Sequence, residues 1–490
     1  MKFVVLKDGK PVRDFKLCGA HMFGTDGIGI RRAEIVFKDG YVECSKPNLE
    51  TAGLALLWPI DGFGKVLLPT TCLPERSKPY ILNVEIARAK LMQIVNKRED
   101  WSFFGADGTS NVSKKAQALF VKAIQNISNA TVASKLADEA LKNAVVVSEQ
   151  LATKQAESLF IARGKNHGFG RGCLGCRVDA SRTSVPKYVE SLAGLFGSAT
   201  IALNWAEIEP EKGHFDFSKI DACIGALSKR KLTIGAGPLL FFSKKYLPEW
   251  LVGKGASFEK IREAAYHYVL NVVTRYAQVV RAWCPIGGLN VFNHFGFRFE
   301  EILEMTRAAN MAVKQGSDRA LKIIEVCSPW GEYYATTPNS IPPLVYMDMV
   351  VQSGINFDAF GLQMRFGKNQ SGMHVRDMMH ISAILDYLGP ISKPLYITRV
   401  AVPAKNGSGS QDGEVAGIWH DKWDEARQAR WLDQFYKVAL SKPFVDAVTY
   451  SHLSDVESST ISGSGLLTAD LKPKKSYLRL KKLRETIFIR

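Results

Sequence analysis

Several things are scarce in this chain of 490 residues. It has no apolar run approaching the roughly 18 residues that a membrane-spanning helix needs, which excludes a helical membrane anchor. The opening MKFVVLKDGKPVRDF has only FVVL before charges return, so it lacks the apolar core of a secretory signal, and a cytoplasmic, non-secreted protein is expected. Cysteine is sparse: eight residues, widely scattered, which fits free thiols better than a disulfide framework. Cys173 and Cys176 form one CxxC, but neither a second pair nor a tight His pair accompanies it, so no metal site and no cofactor are expected. Blocks of five or more like charges are also missing. The formal net charge of +16 is spread along the chain and reads first as a solvated basic surface, and no nucleic-acid-binding motif is present.

What is present falls into three stretches. Residues 1–105 begin with short apolar runs (FVVL, AEIVF, YVEC, LALLW, KVLL) between Gly, Asp and Pro turns, the texture of a small β-sandwich. YILNVEIARAKLMQIVNKR at 80–98 then repeats apolar residues three and four apart and predicts a closing helix. After a GADGTSNVS break at 105–113, residues 106–164 are Ala-rich, and 114–163 contain neither Gly nor Pro. They predict one long helix or a helical hairpin, either a bracing element or an arm for homo-oligomerisation. Glycine-rich GKNHGFGRGCLG at 164–175 has a helical pattern before it and a strand after it, the reverse of a phosphate-binding loop, and marks a boundary.

From there to residue 490, eight strand-like runs alternate with amphipathic helical patterns: LGCRVDA, ATIALNW, LTIGAGPLLF, VRAWCPIG, LKIIEVC, FDAFGLQM, PLYITRV and AVTYSHL. Alternation of this kind predicts an α/β fold, a (β/α)8 barrel over 165–490, with its site at the C-terminal strand ends. Within it, NWAEIEPEKGHFDFSKID (204–221), LPEW (247–250), RYAQVVRAW (275–283), FDAFGLQ (357–363), QARWLDQFYKVALSKPFVDAVTY (428–450) and GLLTADLKPKKSY (465–477) follow one another. Together, in this order, they resemble the family 10 glycoside hydrolases, the xylanase type, over about two-thirds of the chain.

The resemblance implies a carbohydrate-related barrel, and also where two catalytic carboxylates should stand. The acid/base position falls on Gly288 and the nucleophile position on Arg399, and neither residue can do that chemistry. The sugar-contacting positions are altered as well. Asn204 stands for the Lys before Trp205, Arg365 stands for a His beside the retained Gln363, Ser451 for a Trp and Lys245 for a Gln. Glu325 and Glu332 on and after the fifth strand are candidates for relocated carboxylates, and Trp330, Tyr333 and Glu332 for a sugar platform. Asp179 and Glu207 are weaker candidates. Trp419, His420 and Trp423, near the end of the loop that follows the seventh strand, are candidates to cap a ligand, while Trp423 and Trp431 also read as helix core. Two functions stay open: a glycan-binding pseudoenzyme whose basic mouth takes a poly- or oligosaccharide, neutral or anionic, and an active glycoside hydrolase with moved carboxylates.

Overall fold

The computed structural model describes residues 1–102, 110–166, 168–253, 255–456 and 460–488. The eight apolar runs form the eight strands of a closed parallel barrel. They are β1 (Leu174–Val178), β2 (Ser198–Ile201), β3 (Thr233–Ala236), β4 (Ala282–Trp283), β5 (Leu321–Cys327), β6 (Ala359–Arg365), β7 (Leu395–Ala401) and β8 (Val445–Tyr450). Amphipathic helices such as Phe258–Tyr276, Phe299–Gly316 and Glu425–Ser441 cover the outside and bury their apolar stripes on the strands.

Ahead of the barrel lie two four-stranded sheets. One pairs Lys2–Val4 with Tyr41–Ser45 and Tyr80–Ile81, with Glu34–Lys38 at its edge. The other pairs Gly53–Ile60 with Gly64–Pro69 and His21–Phe23. Its outer edge is completed by the barrel itself, because Ile418–Trp419, from the region after β7, adds an antiparallel strand beside Gly64–Pro69. An exposed strand edge is thereby paired within the chain.

Three helices join the halves. α1 (Leu82–Asp100) buries Leu82, Val84, Ile86, Leu91 and Ile94. α2 (Ser110–Gln125) and α3 (Ala130–Asn166) form a hairpin, not one rod. The GADGTSNVS break lies partly outside the described residues. The small-residue face of α3, with Ala137, Ala140, Leu141 and Ala144, is buried. Its far end is tied to the barrel: Arg163 Nη1 donates to the carbonyls of Leu440, Lys442 and Val445 at 2.8–3.0 Å. α3 packs on barrel helices through its later part, where Glu149 accepts the Met378 N–H and Lys437 Nζ donates to Glu157. One hydrophobic core runs from Phe3 to Ile487 across both halves.

Candidate functional site

At the C-terminal strand ends lies a cavity of about 470 Å³, lined by residues that include Arg177, Asp179, Asn204, Glu207, Asp216, Phe241, Tyr246, Gln363, Arg399, Ser451 and His452. Strand geometry explains how the key side chains get there. Gln363 pairs with Arg399, while its neighbour Leu362 pairs with Ile397, so Thr398 is an extra residue on β7. Such a bulge breaks strict alternation. It lets Arg399 line the mouth although the adjacent Thr398 also reaches inward to Glu325.

Glu325 is 1% exposed, and both carboxylate oxygens are occupied. Oε1 accepts from Gln363 Nε2 and Oε2 from Thr398 Oγ1, each at 2.5 Å. Around this single carboxylate stand three guanidinium groups. Burial, then Arg399, pushes Arg177 down to about 9 against the pull of Glu325. Burial and the same Arg399 bring Arg365 down to about 10. Both remain protonated at neutral pH. Among the described residues, Arg177, Arg365 and Arg399 have no ion-pair partner, and the one hydrogen bond of the three guanidinium groups is a long one from Arg365 Nη1 to Thr460 Oγ1, 3.4 Å. His452 is pushed down to about 4, by burial first and then by Arg399, Arg177 and Arg365, and is neutral at pH 7.

The remaining mouth carboxylates are held by local partners. Asp179 accepts from Ser181 N (3.1 Å) and Oγ (2.6 Å). Glu207 accepts from Asn204 Nδ2 and Lys219 Nζ, which outweigh its burial and keep it below the usual range. Asp216 caps Ser218 and is likewise held low. A general acid needs the opposite shift.

Gly288 adopts φ +63°, and a Cβ there would lie 2.8 Å from Cys327 Sγ and 3.0 Å from Phe241 and Phe292. Its N–H donates to the Glu325 carbonyl at 2.8 Å. The left-handed backbone and the lack of room for a Cβ both favour glycine at this position.

Asn204, Gln363 and Arg399 of the expected ligand-binding set line the mouth, with Arg365 electrostatically coupled to it. The others do not join them. Trp205 is 1% exposed, stacks on Tyr268 and donates to Glu209, because it heads a short helix whose inner face is core. Lys245 is exposed and lies over Tyr246, its neighbour in a 3-10 turn. Glu332 is corrected most fully. It is buried, ion-paired with Arg376, and accepts the Gly372 N–H at 2.6 Å. Trp330 lies under the Arg376 guanidinium, and Tyr333 is spent on Asn290 and the Ile341 carbonyl. The N-terminal half seals this aromatic turn, with Arg31 over Tyr334 and bonded to the Ser340 carbonyl. Trp419 and His420 do not cap the mouth. Trp419 pairs with Gly64 in the N-terminal sheet, and His420 packs on Phe63, while Trp423 and Trp431 are core. Cys173 and Cys176 are both buried, with thiols pushed well up by burial, Cys173 to about 12. Sequence reading missed Arg177, Tyr246 and His452. The available signal for the first was an arginine inside the apolar strand LGCRVDA.

No family model matches the chain. The endo-1,4-beta-xylanase A of Xylanibacter ruminicola is 27% identical over 107 residues, 21% of this chain and 28% of that protein, so the match spans little more than a quarter of that relative's length. A family 10 endoxylanase retrieved from a sugarcane soil metagenome superposes with a TM-score of 0.51 at 17% identity, covering 66% of this chain and 98% of its own. A psychrophilic family 10 endo-beta-1,4-xylanase gives 0.50 at 17% identity, with 65% and 97% covered. With its eight parallel strands in closed sequential order, residues 174–450 therefore have the barrel fold of the family 10 glycoside hydrolases.

Proposed function

We propose that the barrel mouth binds a saccharide bearing carboxylate or phosphate groups and does not cleave it by a retaining double displacement. The observation that carries this reading is the trio Arg177, Arg365 and Arg399, the first buried and the other two half-buried, with Arg177 and Arg399 lining the mouth and none of the three in an ion pair among the described residues. Arginines that hold a fold together are supplied with partners, because an unpaired buried cation is costly. A ligand carboxylate or phosphate meets guanidinium in bidentate geometry and removes that cost. A retaining glycosidase needs two carboxyl groups about 5–5.5 Å apart, one acidic and one nucleophilic. Here the positions implied by the family resemblance hold Gly288 and Arg399, Glu325 has both oxygens engaged, and Glu332 is locked to Arg376. The guanidinium of Arg399 would also repel the positive charge that builds at the anomeric carbon. The family 10 barrel fold supports the saccharide part of the reading.

The test is calorimetric titration with oligogalacturonate and with xylo-oligosaccharide, coupled to a reducing-sugar assay on both. The expected result is binding of the acidic oligomer, at least about tenfold tighter than the neutral one, weakened in Arg399→Met and without sugar release. Equal affinity for the two oligomers would overturn the reading. Release of sugar that persists in Arg399→Met would favour a hydrolase working from Asp179, Glu207 or Asp216.

A further inference from the structure

Below the mouth the barrel is hollow. The interior of a (β/α)8 barrel is ordinarily filled by layers of bulky branched side chains. Here part of the wall is small or hydroxylated, with Thr200 on β2, Thr233 and Gly235 on β3, Thr398 on β7 and Thr449 on β8, and Trp283, Ile323 and Tyr396 complete it. They enclose a second cavity of about 500 Å³, within the range of small-molecule sites. Arg177 and Glu325 stand at its upper end, and it runs down past Arg281 and Asp446 at the N-terminal strand ends. Packing dictates some of the small residues. A Cβ at Gly175 would lie 2.6 Å from Ser198 Oγ, and one at Gly361 would lie 2.5 Å from Thr398 Cγ2. Packing does not dictate Gly235, where a Cβ would make only ordinary van der Waals contacts, at 3.4–3.7 Å with Ala282 and Thr200.

The chemistry of the upper end is unbalanced. Both oxygens of Glu325 are taken by Gln363 and Thr398. Arg177 is only 6% exposed and has no hydrogen-bond or ion-pair partner among the described residues, so its guanidinium donors remain unspent. An unspent, nearly buried cation above a wall of threonine hydroxyls selects a negatively charged oxygen ligand, with the hydroxyls left to pair with the ligand's own polar groups. We propose that this hollow is a second ligand site, entered from the barrel face opposite the mouth, that takes a small hydroxyl-bearing oxyanion on Arg177. It shares Arg177 with the mouth, but its wall residues on β2, β3 and β8 do not line that cavity, so Gly235→Val and Arg365→Met separate this proposal from the reading of the mouth.

The experiment uses the full chain and three probes at constant ionic strength: inorganic phosphate, glucuronate and glucose. Thermal shift and calorimetry should show binding of phosphate or glucuronate and none of glucose, and the stronger arm identifies a phosphate or a carboxylate ligand. Gly235→Val, which fills the hollow, should weaken that binding by about tenfold or more, and Arg177→Met likewise. Arg365→Met, on the mouth side, should leave it within about twofold. Thr200→Val keeps the volume, removes one wall hydroxyl and should weaken glucuronate; it serves if Gly235→Val fails to fold. The proposal fails if neither anion binds, if binding survives Gly235→Val or Thr200→Val unchanged, or if Arg365→Met abolishes it.

Discussion

The molecule contains two clusters of buried charge, and they are built on opposite rules. Between the N-terminal half and the barrel, the buried cations of the described residues are paired, and the one raised carboxyl, Glu149, accepts a backbone N–H. Lys90 and His380 both meet Asp377, at 2.8 and 2.5 Å, Arg376 meets Glu332, and Glu149 accepts the Met378 N–H at 2.6 Å. Burial alone would raise Asp377, but His380 and Lys90 overcome it and hold that carboxyl well below the usual range. In the mouth, three arginines share one carboxylate whose oxygens are already engaged, and the guanidinium groups of Arg177 and Arg365 are pushed down. A charge that serves assembly is compensated within the chain. A charge left uncompensated keeps its desolvation cost until something else arrives, which is how a binding site differs from a structural one.

The contrast is broken most directly at Glu332. Removing one member of a buried pair strands the other, at a cost of about 3–5 kcal/mol. Glu332→Gln should therefore lower stability by that amount in urea denaturation, although it leaves the mouth untouched. A loss below about 1 kcal/mol would mean that the paired cluster holds little together.

Next in size is a pH effect at Glu149, raised from 4.5 to about 7 by burial and then by Asp377, against the pull of the Met378 N–H. A carboxyl raised in the folded state binds more protons folded than unfolded between those two values. Its contribution is therefore present in full below about pH 4.5 and is lost as pH rises to 7. The loss amounts to about 3 kcal/mol across the window. Glu149→Gln should flatten that slope and make the variant the more stable protein at pH 8. An unchanged slope would assign the titration elsewhere.

How much of this was legible in the sequence depends on how far apart the interacting residues lie. The eight strands were legible because a parallel strand buried on both faces is a continuous apolar run that declares itself locally. Asn204, Gln363 and Arg399 were legible as mouth residues because they lie at the ends of those runs. Glu332 and Trp330 were misread because their partner, Arg376, comes from another part of the barrel, and the cover, Arg31, comes from about 300 residues away. The hollow was invisible for a similar reason. Thr200, Gly235 and Thr449 are unremarkable one at a time and face each other only once the barrel closes.

A smaller effect separates backbone from side chain at Gly288. Its φ of +63° is a left-handed conformation, and an added Cβ would press on Cys327 Sγ at 2.8 Å. Gly288→Ala should cost about 1–3 kcal/mol from conformation and overpacking together, while Gly213→Ala, at φ +80° with nothing near, should show the conformational part alone. Equal losses in the two variants would show that Cys327 yields at no cost.

The smallest expected stability effect is in the mouth, where it is also the most telling. Arg399 is a like charge for Arg177 and Arg365, so Arg399→Met relieves repulsion and should shift stability by less than about 1 kcal/mol, in either direction. The sensitive readout is His452, lowered from 6.5 to about 4 by burial first and then by Arg399, Arg177 and Arg365. A depressed histidine binds fewer protons folded than unfolded, so its contribution is present above pH 6.5 and is lost as pH falls toward 4, the opposite sign to Glu149. Removing Arg399 leaves burial in place and takes away the largest charge contribution. The His452 ring titration followed by NMR should therefore move up part of the way toward 6.5 and not reach it. A titration that does not move would place the Arg399 charge out of reach of His452, and the mouth would then lack the concentrated positive field that sets it apart from the paired cluster.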